Sequence, residues 1–189
     1  MTGFSLIELL VVVAIVVILA AVTVPATSSA LRGASLNQAG QLVSDQLSVA
    51  RQEAVSKSQD VEVRFYRMTN GLVSGWKGLR IVRIEQTPTG PVTNPVGRFV
   101  SLPDSVMISE SSSLSPLMMN ATAQSENMGS RGQLSYRAFR FRPNGGLEVG
   151  VGSNNFVTLV NMQDIGASPA NFYTIQINPL SGKATVYRP

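Results

Sequence analysis

From Leu9 to Val22 the chain reads LLVVVAIVVILAAV, and no charged residue stands between Glu8 and Arg32. An apolar run without a polar side has no face to turn to water, unlike the amphipathic helix of a soluble surface. At about 1.5 Å per residue, a helix over 4–31 can span a hydrocarbon core of roughly 30 Å. The sequence therefore predicts a membrane-crossing helix there. A cleaved secretory signal is the competing reading, because Ala26, Ser28 and Ala30 offer small residues at a cutting distance. Against it, no Lys or Arg precedes the run, and the run is long for the apolar region of a signal peptide. Glu8 sits at the edge of this block, where a lone carboxylate costs about 2 to 3 kcal/mol if carried to mid-membrane. Anchoring alone does not call for it.

The remainder is more polar and rich in Ser, Gly, Asn and Thr, and 189 residues suffice for one globular domain plus an appendage. The absence of Cys and His removes thiolate and imidazole chemistry and nearly all zinc and copper sites. No cofactor, metal site or catalytic residue is expected. The net charge of +4 permits contact with nucleic acid or anionic lipid without requiring either.

The string Gly3-Phe4-Ser5-Leu6-Ile7-Glu8-Leu9-Leu10, running into the apolar block, resembles the prepilin motif of type IV pilins and type II secretion pseudopilins. That resemblance implies cleavage between Gly3 and Phe4 by a prepilin peptidase, N-methylation of Phe4, and pairing of Glu8 with the terminal amine of a neighbouring subunit during filament assembly. A paired acid costs far less in lipid than a lone one, so the family role supplies the partner that Glu8 lacks. The leader Met1-Thr2-Gly3 has no basic residue, unlike leaders of the family, so either it is atypically short or the start lies upstream.

Beyond the apolar block, Pro25 is expected to kink or loosen the helix. Leu36, Ala39, Val43, Leu47, Ala50 and Ala54 then recur at three- and four-residue steps, predicting an amphipathic helix over 35–58 that lies on a sheet. At Asp60 the period becomes two, with Val61, Val63 and Phe65 alternating with Glu62, Arg64 and Tyr66, and Thr69-Asn70-Gly71 offers a hairpin turn. Further strands are expected over 79–85, 97–102, 134–142, 155–160, 172–178 and 183–188. One long helix followed by antiparallel strands is an α+β arrangement, and the resemblance implies the same pilin-like fold. The expected division is a leader over 1–3, a transmembrane and filament-core helix over 4–31, and an extracytoplasmic domain over 32–189. Residues 109–133, rich in Ser, Asn, Met and Gln without periodicity, read as a mobile surface loop. The junction SVARQEAVSKSQDVEVRFY, the string Phe141-Arg142-Pro143-Asn144-Gly145-Gly146 and the final INPLSGKATVY resemble the GspH or FimT branch of pseudopilins. The group called Verru_Chthon cassette protein D shares the prepilin motif and a similar VEVRFY strand.

Arg137, Arg140 and Arg142, interleaved with Tyr136, Phe139 and Phe141, are the residues a strand would use to grip single-stranded nucleic acid. The same alternation arises in any half-buried strand, with Phe139 and Phe141 in the core and Arg140 and Arg142 in water. The second reading is favoured, and nucleic acid is not expected as a partner. The sequence thus reads as a structural subunit, a minor pilin or pseudopilin. Its partners would be a prepilin peptidase, other pilin or pseudopilin subunits met through the N-terminal helix, and the inner membrane. A nucleic-acid-binding minor pilin, a simple membrane-anchored domain and an anchored hydrolase built from convergent carboxylates are the alternatives.

Overall fold

The computed structural model describes residues 5–70, 73–148, 154–166 and 168–189, the side chains of 22–28, Asn70 and Val73 excepted. Gly3 and Phe4 therefore lie outside the described residues. The chain divides into two compact units, Met1–Ala34 and Ser35–Pro189.

Helix α1 spans Leu6–Lys57 and includes Pro25, whose side chain lies outside the described set. Within the second unit its stripe is the expected one. Leu36, Ala39, Val43, Leu47, Ala50 and Ala54 are all buried and share one core with residues of the sheet. The helix ends where Ser58 adopts φ 52°, while Gln59 N donates to Ala54 O at 3.2 Å and Ser58 N to Val55 O at 3.4 Å. This paired closure satisfies terminal carbonyls and redirects the chain into the sheet.

The strands are β1 (Asp60–Asn70), β2 (Val73–Thr87), β3 (Gly90–Ser101), β4 (Val106–Ile108), β5 (Gln124–Asn127), β6 (Gln133–Phe141), β7 (Leu147–Glu148), β8 (Phe156–Asn161), β9 (Phe172–Ile177) and β10 (Ala184–Tyr187). They form one antiparallel sheet in the order β10-β9-β8-β4-β2-β1-β6-β5, with β3 on β2 and β7 on β6. The domain is α+β, a helix packed on an antiparallel sheet. Period-two alternation sends Val61, Val63, Phe65, Phe139 and Phe141 to the helix side, joined by Leu79, Ile81, Leu159, Ile175 and Ile177. Gly40 permits close approach of helix to sheet, since a Cβ there would lie 2.5 Å from the Tyr173 ring.

Three expectations need correction. Residues 109–133 are not a bare loop. Ser109 and Ser115 are buried, a short helix α2 (Pro116–Met119) buries Pro116, Leu117 and Met118, β5 pairs with β6, and a 3-10 turn covers Gly129–Arg131. The Ser115 hydroxyl accepts from Thr158 N at 3.1 Å, tying this stretch to β8. Strand β3 starts at Gly90 rather than Gly97, because Pro91 and Pro95 stand on an edge strand, where a missing N–H is tolerated. Strands β4 and β7 were not expected; three and two residues carry too little pattern to read. The hairpin expected at Thr69-Asn70-Gly71 agrees with the register, in which Asn70 pairs with Val73, while Gly71 and Leu72 lie outside the described residues.

The fragment 35–189 is expected to fold alone and unfold in one cooperative urea transition, because its core closes within those residues. In that fragment Gly40→Ala should lower stability by about 1–3 kcal/mol through overpacking against Tyr173, read as a lower urea midpoint.

Candidate functional site

Ser5 opens the described chain, and its carbonyl accepts from Glu8 N at 3.1 Å and Leu9 N at 3.2 Å. Every described side chain from Ser5 to Ala21 is exposed, and the large apolar ones leave between 49% (Val11) and 82% (Leu6) of their surface bare on all sides of the helix. Among the described residues, no helix is long and apolar enough to cross a membrane. The segment expected to do so, 4–31, includes Phe4 and the side chains of 22–28, which are outside that set. Glu8 lies in the first turn of α1, amid this apolar surface, and no described residue forms an ion pair with it.

Arg137 and Arg140 of β6, and Arg142 just past its end, do not form one basic row. Arg137 lies on the same side of the strand as Phe139 and Phe141, and Arg140 points the other way. The Arg137 guanidinium donates to the carbonyls of Met119 and, at 2.8 Å, Ala121, and lies 5.8 Å from the Trp76 ring. Arg140 meets Glu62 at 3.1 Å, Glu148 at 3.3 Å and Asp60 at 3.7 Å, and Arg142 meets Glu148 at 3.4 Å. A phosphate would have to displace these partners. Phe139 and Phe141 are buried as the half-buried-strand reading requires.

A cluster that the sequence did not reveal lies on the face of the sheet away from the helix. Glu62, Arg64 and Tyr66 alternate with the helix-side residues of β1, and of these Arg64 and Tyr66 are buried. Glu62 takes Arg64 at 2.8 Å, and Glu126 of β5 accepts from Arg64 at 3.0 Å and from the Tyr66 hydroxyl at 2.5 Å. Tyr136 and Phe99 flank Tyr66 with ring centroids at 5.5 and 5.3 Å, Arg64 lies 4.7 Å from the Tyr136 ring, and Arg131 lies 4.6 Å from Phe99. Burial alone would lower the Arg64 pKa, but its hydrogen bond and charge pairing with Glu62 outweigh this and raise it. Burial, then the hydrogen bond to Glu126, raises Tyr66 well above an ordinary phenol, and burial raises Tyr136 too. The only signal in the sequence was the aromatic Tyr66 ending an otherwise charged row.

Beside this cluster an open cleft of about 650 Å³ includes Glu62, Glu148 and Arg140 in its lining. Both carboxylates meet Arg140, Glu62 accepting a hydrogen bond from it and Glu148 forming an ion pair with it at 3.3 Å. Among the described residues no group of three His, Cys, Asp or Glu could hold a metal ion. At another corner the strings Phe141–Gly146 and Asn178–Gly182 meet. Leu147 N donates to Pro179 O at 2.7 Å, Arg51 Nε of α1 donates to Ser181 O at 2.6 Å, and a side chain at Gly182 (φ 64°) would run into Gly145. Two turns far apart in sequence thus lock onto one another and onto α1.

No family model matches the chain, and no curated protein matches it. Among solved structures the chain is similar to the minor pseudopilin EpsH from the Type 2 Secretion System of Vibrio cholerae, at 9% identity and a TM-score of 0.42, over 82% of this chain and 96% of that one. So loose a likeness carries no functional conclusion.

The buried tyrosines set an alkaline limit. An acid held neutral in the fold but free to ionise when unfolded binds more protons in the native state, so stability falls as pH rises through the ordinary phenol range near about 10. Phenolate absorbance of Tyr66 and Tyr136 is expected only above that range, and Tyr66→Phe should remove part of the late component and soften the alkaline loss of stability.

Proposed function

We propose that this chain is a structural subunit of a pilin-like filament, a minor pilin or pseudopilin, held in the inner membrane by residues 4–31 with residues 32–189 on the extracytoplasmic side. In this reading a prepilin peptidase cuts between Gly3 and Phe4 and methylates Phe4, and the apolar helix then packs among the helices of other subunits. The observation that carries the reading is the bare apolar surface from Leu6 to Leu19; the second unit, taken by itself, already closes its own core. A side-on contact would need one apolar stripe; an apolar surface on every side needs a surround, which lipid or a bundle of like helices supplies. Glu8 inside that surface needs a positive partner, and the Phe4 amine of a neighbouring subunit has the right charge. The engagement of Arg137, Arg140 and Arg142 with carbonyls and carboxylates supports a structural role for β6 over nucleic-acid binding.

Glu8→Gln preserves size and removes the charge, so co-purification with filament partners should drop while membrane fractionation and leader cleavage stay normal. Glu8→Leu should do the same and insert slightly better. Normal assembly by both variants would reduce the segment to a plain anchor.

A further inference from the structure

The cleft that holds Glu62, Glu148 and Arg140 draws its lining from three parts of the second unit: α2 and the chain after it, β6, and the two asparagines that lead into β8. At about 650 Å³ it lies within the range of small-molecule sites, roughly 300–1,000 Å³. Its two carboxylates are already matched by cations. Glu62 meets Arg64 at 2.8 Å and Arg140 at 3.1 Å, and Glu148 meets Arg140 at 3.3 Å and Arg142 at 3.4 Å. A charged ligand entering here would find no uncompensated charge to offset the loss of its own hydration.

What remains in the lining is polar but neutral: Asn120, Thr122, Gln124, Asn154 and Asn155. Asn155 is the informative residue. Only 5% of it is exposed, and its side-chain amide, which lines the cleft, makes no hydrogen bond to any described residue. A buried amide without a partner is rare in a folded protein, and this one has the cleft from which a partner could come. Gln124 also has capacity to spare, since its Oε1 accepts from the Tyr136 hydroxyl at 2.6 Å while its NH2 group has no bond among the described residues. Pro116, Leu117 and Phe139 add apolar surface to the same lining.

A primary amide sets a donor and an acceptor side by side, and so do neighbouring hydroxyls on a sugar ring, each of which can both donate and accept. The C–H face of such a ring matches the apolar part of the lining. An extended peptide instead presents single N–H and C=O groups along its length, whose complement is a free strand edge rather than a cluster of side-chain amides. We propose that this cleft is a binding site for an uncharged saccharide, with the amides of Asn155 and Gln124 bonding its hydroxyls and Pro116 and Leu117 against its C–H face. The site lies wholly in the second unit and does not rest on the role proposed for the apolar helix.

The probes are two neutral trisaccharides, maltotriose and triacetylchitotriose, with trigalacturonate as an anionic counterpart and the end-blocked peptide Ala-Ser-Ala-Ser-Ala as a neutral non-sugar. Each is titrated into the isotope-labelled full chain in a zwitterionic detergent that has no sugar headgroup, while side-chain amide shifts are followed. At least one neutral trisaccharide should shift the Asn155 and Gln124 amides and saturate at about millimolar concentration, with trigalacturonate and the peptide on the order of tenfold weaker. Asn155→Ala should weaken binding by about three- to tenfold, the loss of one hydrogen bond. Because Asn155 is buried, Thr122→Val at the exposed rim serves as a second variant, expected to weaken binding severalfold at unchanged Tm. Failure of both trisaccharides to bind, or trigalacturonate or the peptide binding as tightly as they do, would overturn the proposal. So would unchanged affinity in the Thr122→Val chain or in a folded Asn155→Ala chain.

Discussion

The contact between the apolar stripe of α1 and one face of the sheet is the constraint on which the rest of the molecule depends. Leu36, Leu47 and the alanines at 39, 50 and 54 meet Val61, Phe65, Phe141, Ile175 and their neighbours with almost no surface left to water. Small residues in the stripe let the helix lie close, and Gly40 allows the Tyr173 ring to rest against it. This contact completes a core inside residues 35–189. A helix whose large side chains from Leu6 to Leu19 all stay exposed is then the feature that a functional account has to explain.

The opposite face of the sheet shows how a charged strand can be buried without instability. Arg64 is surrounded by Glu62, Glu126, Tyr66 and the Tyr136 ring, so its charge is matched and its donors are used. Breaking one partner in such a network is costlier than the pair is worth, because the charge left behind remains buried. This cluster also explains why β5, with scarcely an apolar residue, stays on the sheet: Glu126 reaches across to β1 and β2, meeting Arg64 at 3.0 Å and Arg80 at 3.8 Å.

Local periodicity made much of the fold legible. The stripe from Leu36 to Ala54 and the alternation from Val61 to Tyr66 follow from the geometry of a helix and a strand, and each is where the pattern says. What escaped was held by contacts between distant residues. Ser115 reaches Thr158, 43 positions away, and Glu126 reaches Arg64, 62 positions away, so nothing near 109–133 announced that the stretch was folded. Strands β4 and β7 were too short to carry a period, and prolines hid the first half of β3. At the candidate site the arginines of β6 were recognised, but not that Arg137 faces away from the other two or that carbonyls and carboxylates already hold them. Gly3 and Phe4 lie outside the described residues, so their role rests on the motif they form with Glu8.

The account's central claim is that the bare helix belongs to a subunit matured by prepilin processing and inserted among other helices. Its most direct test is the intact mass of the chain recovered from membranes of a host that carries a prepilin peptidase. The account predicts a chain lighter by Met1, Thr2 and Gly3 and heavier by one methyl group on Phe4. A chain that keeps Gly3, or one that begins at Ser29 or Leu31 after signal-peptide cleavage, would contradict it.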